Sequence, residues 1–265
     1  MSILKVDMRI SNAAKNPLDL SEKQILVTGA SSGIGKATSV ILSRLGARII
    51  LVGRNAERLH AAHSELENSN HIIEPFDLSR IDAISGWMKS MANRHGVLHG
   101  VVHCAGVQQT LPARSIRLVD MESLFQINVY AAIALLKGFR QRDVHSPQAS
   151  AVLISSVMGL VGEACCITYS ASKGAIISLT KSAAIELARD GLRVNCIASG
   201  FVKTPMYESL AETLTQAQIM NIEGKHILGI GTAEDIANTV AFLISDASIW
   251  ITGTTVVVDG GYIAS

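Results

Sequence analysis

The chain has 265 residues, 48% of them hydrophobic, and a formal net charge of +1. That balance leaves no electrostatic footprint for nucleic acid, and no dense Lys/Arg run marks a membrane-surface patch. Aromatic residues make up only 4%, so no base-stacking surface is expected, and no run of about 18 apolar residues indicates a spanning helix.

At the N-terminus, Lys5, Asp7 and Arg9 break up the apolar residues, unlike the uninterrupted core of a signal peptide. Residues 1–20, which include Asn16-Pro17, read as a lead-in. From Gln24 onward, short apolar runs alternate with helical patterns. Strands are expected at 24–28, 47–52, 71–75, 98–103, 150–155, 192–197 and 254–258. Helices are expected at 34–45, 55–67, 79–95, 120–142, 169–190 and 233–245. The strands are apolar on both faces rather than alternating, as parallel strands covered on two sides are. Strand–helix alternation implies βαβ crossovers and an α/β, doubly wound parallel sheet of about seven strands. No Pro/Gly/Ser-rich linker and no internal repeat divides the chain, so residues 21–265 are expected to form one domain.

The first strand runs into Thr28-Gly29-Ala30-Ser31-Ser32-Gly33-Ile34-Gly35, and a helical pattern follows at once. Glycines let such a turn approach a ligand closely, and the N-terminus of the next helix offers free N–H groups to a pyrophosphate. The spacing is G-x-x-x-G-x-G, distinct from the commoner G-x-G-x-x-G. An ordinary Gly/Ser loop is the bland alternative. Downstream, Tyr169 and Lys173 stand four residues apart, on one face of a helix. Carbonyl reduction needs a hydride on carbon and a proton on oxygen. An unperturbed tyrosine, with a pKa near 10, is a poor proton shuttle at neutral pH. The lysine charge is expected to favour the phenolate and lower that pKa.

These pieces together resemble the short-chain dehydrogenase/reductase family, and most closely its 3-oxoacyl-(acyl-carrier-protein) reductase-like branch. TGASSGIG and Tyr169-Ser170-Ala171-Ser172-Lys173 carry the resemblance. Asp77-Leu78, Ala105-Gly106, Asn128, Asn195, Gly200, Thr204 and the closing Val258-Asp259-Gly260-Gly261 extend it in order, from about Leu20 to Gly261. It implies a Rossmann-like fold and an NAD(P)-dependent enzyme acting on CH-OH and C=O groups. Four catalytic residues follow by resemblance: Asn128, Ser156, Tyr169 and Lys173. Ser156 would hold the substrate oxygen, with Ser155 its nearest competitor. Asn128 would support a water-linked proton path to the lysine, and its bland reading is a helix-interior polar residue satisfied by backbone. Cofactor contacts are implied for Gly29, Ser31, Ser32, Gly33, Ile34, Gly35, Arg54, Asp77, Leu78, Ala105, Gly106, Asn128, Tyr169, Lys173, Val202 and Thr204.

At the end of the second strand, Gly53 stands where a ribose-binding carboxylate would be, and Arg54 follows with a donor fork suited to phosphate. By resemblance this favours NADP(H) over NAD(H). Two points weigh against it: Arg54 can equally end the strand in solvent, and Ser32 occupies a position that is basic in many NADP-dependent relatives. Two other departures are Cys104, for the asparagine of Asn-Ala-Gly, and Ser199, for the proline of Pro-Gly. They are expected to weaken the sheet locally and loosen a turn.

No metal site is expected. The cysteines, Cys104, Cys165, Cys166 and Cys196, form no CxxC pair, so a reducing cytoplasm is the expected location. His95, His99 and His103 recur every four residues, but Gly96 and Gly100 interrupt any helix there. Cys165 or Cys166 is expected to line the substrate pocket or simply to pack as a small apolar residue. The segment 201–226 is expected to form a substrate lid through Met206, Tyr207, Leu210, Leu214 and Met220, with Glu208 and Glu212 exposed. Gln108-Gln109-Thr110 and Glu163 would add polar contacts. The substrate is then a medium-sized carbonyl or alcohol, a 3-oxoacyl thioester among the candidates. Helices 120–140 and 169–189 are apolar around most of their circumference, which predicts a homotetramer or homodimer. A catalytically silent cofactor-binding scaffold is the alternative. An epimerase or dehydratase is disfavoured, since only four residues follow Gly261.

Overall fold

The computed structural model describes residues 16–264. Most of the expected lead-in, 1–20, therefore lies outside the described residues. In chain order the elements are β1 (Gln24–Thr28), α1 (Gly33–Arg44), β2 (Arg48–Gly53), α2 (Ala56–His63), β3 (Ile72–Pro75), α3 (Ile81–His95) and β4 (Leu98–His103). Then come α4 (Leu118–Phe125), α5 (Ala131–Phe139), β5 (His145–Ser156), α6 (Ile167–Leu187), β6 (Arg193–Ser199) and β7 (Val202–Lys203). The chain closes with α7 (Pro205–Ala211), α8 (Gln216–Lys225), β8 (Gly231–Thr232), α9 (Ala233–Ile244) and β9 (Thr255–Val258).

Seven strands form one sheet in the order β3-β2-β1-β4-β5-β6-β9, every neighbouring pair parallel. These are the seven strands expected from the apolar runs. β7 and β8 make a separate two-stranded ribbon. One face of the sheet is covered by α1, α2 and α9, through Leu42, Leu59 and Val240. The other face packs on α3, α5 and α6 through Met88, Phe139 and Ile176. Burial on both faces explains why the strands read as continuous apolar runs. The strand order reverses between β1 and β4, so a crevice opens at their carboxyl ends, where ligands bind in open α/β sheets.

Several elements differ from the sequence expectation; α2, for one, ends at His63 rather than at 67. β5 begins at His145, because Leu98 pairs with His145 before a register shift brings Gly100 opposite Ser150. Pro147 and Gln148 (φ 64°) disguise that start as a loop. The helix expected over 120–142 spans Leu118–Phe139 and is interrupted by a π-turn at Gln126–Tyr130. It is long and apolar enough to cross a membrane by composition alone, with a mean hydropathy of 1.3. Its apolarity is instead used in the core, where Leu124, Leu135 and Phe139 are buried. The lid segment, finally, contains two helices, α7 and α8. Thr204 caps α7, accepting from Tyr207 N, and Thr215 caps α8, accepting from Gln218 N.

Candidate active site

The glycine-rich turn joins β1 to α1 at the crevice. Gly29 has φ +66°, and a Cβ there would sit 2.8 Å from the Ala105 amide nitrogen. At Gly35 a Cβ would meet the Gly29 carbonyl oxygen at 2.3 Å. Only glycine lets these three backbone segments touch. The groove beside them is lined by Gly29, Ser31, Ser32, Gly33, Ile34 and Gly35, by Arg54 at the end of β2, and by Asp77 and Leu78 after β3. Ala105, Gly106 and Thr204 line it as well. Of the expected cofactor residues, Val202, Tyr169 and Lys173 line a second, adjoining cavity instead.

Arg58 also lines the groove, and reading the sequence missed it. The available signal was its place four residues after Arg54, in the first turn of α2, where Asn55 caps the helix by accepting from Arg58 N at 2.9 Å. Among the described residues neither Arg54 nor Arg58 has a carboxylate within ion-pair distance. Asp77 is held below the usual carboxylate range, chiefly by the Ser79 backbone N–H, with Arg54 a smaller cause. A bare glycine backbone and the N-terminus of α1, with Arg54 and Arg58 alongside, fit the phosphates of a dinucleotide.

Groove and cavity share Ile34, Cys104, Gly106, Val107, Thr204 and Met206. At this junction stand the residues singled out for catalysis. Tyr169 is in the first turn of α6, buried against Leu124, Val157, Met158 and Tyr262. Lys173 follows one turn later, and its Nζ donates to the Ile154 carbonyl at 2.9 Å. Ser156 ends β5; its Oγ accepts from Met158 N and interacts with the Tyr169 hydroxyl. Ser155 uses its hydroxyl on the Lys173 carbonyl at 2.8 Å, so Ser156 is the serine free to meet a ligand.

Asn128 sits in the π-turn and lines neither cavity. Its Oδ1 accepts from Val107 N at 2.9 Å, while Nδ2 donates to Val107 O and to Ser172 Oγ. The fully used carboxamide clamps the Ala105-Gly106-Val107 turn to α6. A Cβ on Gly106 would lie 3.3 Å from Asn128 Oδ1 and 3.6 Å from Lys173 Nζ, so the missing side chain keeps the lysine reachable from the groove.

The expected electrostatic effect of Lys173 on Tyr169 is corrected. Burial pushes the Tyr169 phenol up to about 12, partly offset by its hydrogen bond to Ser156. Burial likewise pulls Lys173 down to about 8, partly offset by the nearby Cys104. The ammonium lies 5.7 Å from the Tyr169 ring centroid, and its hydrogen bond goes to Ile154. Desolvation outweighs the charge pairing that four-residue spacing suggested.

Around the cavity, Met206, Tyr207, Leu210 and Leu214 come from the lid, but Met220 points outward and is 62% exposed. Glu208 and Glu212 are exposed as expected. Gln108, Thr110 and Glu163 line the cavity and Gln109 does not. Both Cys165 and Cys166 line it, and among the described residues all four cysteines are free.

The two sequence departures do not open the structure. Thr28 Oγ1 accepts from Ala105 N at 3.2 Å beside Cys104, and Gly200 N donates to Val258 O at 2.9 Å after Ser199. His99 accepts from Gln24 N, His103 Nδ1 lies 2.9 Å from Thr28 Oγ1, and His95 ends α3 beside Glu74, so the periodic histidines serve separate places. No group of three possible metal ligands occurs among the described residues.

A parallel sheet with a glycine-rich turn at its switch point, opening beside a Tyr-Lys-Ser cluster, defines an NAD(P)-dependent oxidoreductase. A family model described as enoyl-(acyl carrier protein) reductase matches residues 29–263. The chain is 34% identical over 245 residues to a 3-oxoacyl-(acyl-carrier-protein) reductase of Rickettsia prowazekii, covering 92% of this chain and 98% of the relative. A solved structure of a putative short-chain alcohol dehydrogenase from Sinorhizobium meliloti is similar with a TM-score of 0.88 and 28% identity, over 94% of this chain and 100% of that one. One from Agrobacterium tumefaciens, described as a putative 2-deoxy-D-gluconate 3-dehydrogenase with bound NADP, gives 0.84 and 27%, over 95% and 100%. The chain belongs to the short-chain dehydrogenase/reductase family.

Proposed function

We propose that this enzyme interconverts a carbonyl and a secondary alcohol with NADP(H), and that neutral 3-oxoacyl thioesters are its substrate type. The observation that carries this is the meeting of groove and cavity at Gly106, where Tyr169, Lys173 and Ser156 converge. The glycine turn, Arg54, Asp77 and Thr204 would hold the cofactor, which would supply the hydride. Tyr169 retains its proton at neutral pH and gives it to the developing alkoxide, while Ser156 holds that oxygen beside the phenol. Lys173, reachable from the groove through the opening that Gly106 leaves, would help to hold the cofactor's ribose, and Asn128 fixes the turn that makes the opening. The lid near 201–226 excludes water as part of one domain beginning at residue 21. An intact proton-donor set gives no ground for the silent scaffold reading, and a reducing cytoplasm suits the four free thiols.

The thioester reading rests on the Rickettsia relative and on a cavity of about 270 Å³ with an apolar lid. Acetoacetyl-N-acetylcysteamine tests it: NADPH absorbance should fall on mixing, and no turnover of this compound or of a wider carbonyl and alcohol panel would refute it. For the cofactor, kcat/KM is expected to favour NADPH over NADH by about tenfold or more, equivalent to about 1.4 kcal/mol. Arg54→Ala should shrink that ratio, and equal use of both cofactors by the parent enzyme would refute the assignment.

A homotetramer or a homodimer is proposed from the apolar outer faces of α4, α5 and α6. Val119 is 58% exposed, Ile133 51% and Ile185 83%. A second copy of the chain would cover them. Light scattering should report a multiple of 28.2 kDa, and a monomeric mass would count against it.

A further inference from the structure

Neither lid helix reaches the core: no residue of α7 or α8 is buried, although Met206, Tyr207, Leu210, Gln218, Asn221 and Ile222 form a wall of the cavity. Such elements open at low free energy unless something ties them down. The ribbon fixes the base of the lid, pairing Val202 with Gly231 and Lys203 with Thr232. Beyond α8 the chain turns inward at His226, which directly follows the helix and is only 4% exposed. Its Nδ1 bonds the Ile222 carbonyl at 2.7 Å, one of the terminal carbonyls of α8. Its Nε2 accepts from the Phe201 backbone N–H at 3.2 Å. A carbonyl can only accept and an amide N–H only donate, so the ring proton sits on Nδ1. The imidazole also packs on Phe201 and Tyr262, with ring centroids 5.7 and 4.8 Å away. Phe201 lines the cavity and packs against the cluster that contains Tyr169, whereas His226 does not line the cavity itself.

We propose that His226 is a positioning residue for carbonyl reduction: by clasping α8 to the Phe201 backbone it holds the lid wall in register with Tyr169. It acts through Phe201 and Ile222, both of which line the cavity. The Lys225–Glu163 ion pair supports the same end of α8, but its side chains are 39% and 33% exposed, where pairing stabilises little. A substrate under the lid gains from the clasp because a wall that is already ordered need not be ordered on binding. The proposal rests on reading the cavity as a carbonyl-reducing site.

Glutamine and asparagine separate the two bonds, since a Gln amide reaches the place of Nε2 and an Asn amide that of Nδ1. His226→Gln keeps an acceptor for Phe201 N. His226→Asn keeps a donor for the Ile222 carbonyl but cuts the link to Phe201. Both lose the ring, so its packing cancels in the comparison. With acetoacetyl-N-acetylcysteamine and NADPH, KM is expected to rise by about tenfold in His226→Asn and by less than about threefold in His226→Gln, with kcat little changed in both. NADPH affinity should match the parent in both variants, because no residue of α8 lines the cofactor groove. Hydrogen–deuterium exchange, read by mass spectrometry at the Phe201 amide, needs no turnover. That amide should be protected in the parent and in His226→Gln, and should exchange faster in His226→Asn. The reverse order of the two variants would assign His226 to capping α8 and overturn the proposal. Two variants that behave alike overturn it too, as does a Phe201 amide that exchanges freely in the parent. If the parent reduces no carbonyl compound, the carbonyl-reductase reading fails, while the exchange pattern still decides the clasp.

Discussion

Tyr169→Phe is expected to lower kcat for carbonyl reduction by about 10²–10⁴-fold, the range over which a positioned proton donor contributes. The variant keeps the ring that packs against Leu124, Val157, Met158 and Tyr262, so the first turn of α6 stays in place. It removes only the hydroxyl, whose partner Ser156 retains its bond from Met158 N. Cofactor binding, followed by NADPH fluorescence, should be largely kept, because the groove residues are untouched. The loss should therefore appear in kcat rather than in cofactor affinity. Unchanged turnover in Tyr169→Phe would remove the phenol from the mechanism altogether.

Much of this architecture can be read in the residues because the chemistry demands particular types at particular spacings. Gly29 and Gly35 are required by backbone contacts that no side chain fits, so the turn shows itself as glycines after an apolar run. The seven strands are legible for a similar reason, since double-sided burial leaves continuous apolar runs. Other features depend on tertiary structure that spacing does not encode. The π-turn at Gln126–Tyr130 differs from an α-helix only in its hydrogen-bond register, yet it is what aims Asn128 at Val107. Four-residue spacing places Lys173 beside Tyr169 but does not reveal how far both are buried. It is burial that sets the direction of each pKa. Met220 shows the converse: an apolar residue in a lid helix is as free to face water as the cavity until the helix is placed. Arg58 was hidden because the sequence shows only an arginine in a polar helix, while the fold turns it toward the groove.

The burial of Lys173 has a consequence for stability that can be separated from catalysis. Its folded pKa of about 8 lies below its ordinary value of 10.5. Below pH 8 the lysine is charged in both states, and the folded protein carries the full cost of the buried charge. Between about pH 8 and 10.5 the unfolded chain binds the extra proton, so stability rises with pH and the cost disappears. At about 1.4 kcal/mol per pH unit, that cost is roughly 3 kcal/mol at pH 7. Lys173→Met removes the charge and keeps the length of the side chain, but it leaves the Ile154 carbonyl without its donor, a loss of about 1 kcal/mol. The variant is thus expected to be more stable than the parent by about 2 kcal/mol at pH 7, with kcat/KM lower by about 10²-fold or more. Its stability advantage should narrow as pH rises from 7 to 9.5. Buried Cys104, whose thiol is pushed up to about 12, acts in the opposite direction above pH 9, but it is common to both proteins and cancels in their difference. Urea unfolding of the two proteins across this range measures that difference directly. A variant less stable at pH 7, or an advantage that does not change with pH, would show that the fold holds Lys173 at no electrostatic cost. A stabilised but inactive Lys173→Met would instead identify the lysine as a residue kept for chemistry against the preference of the core around it.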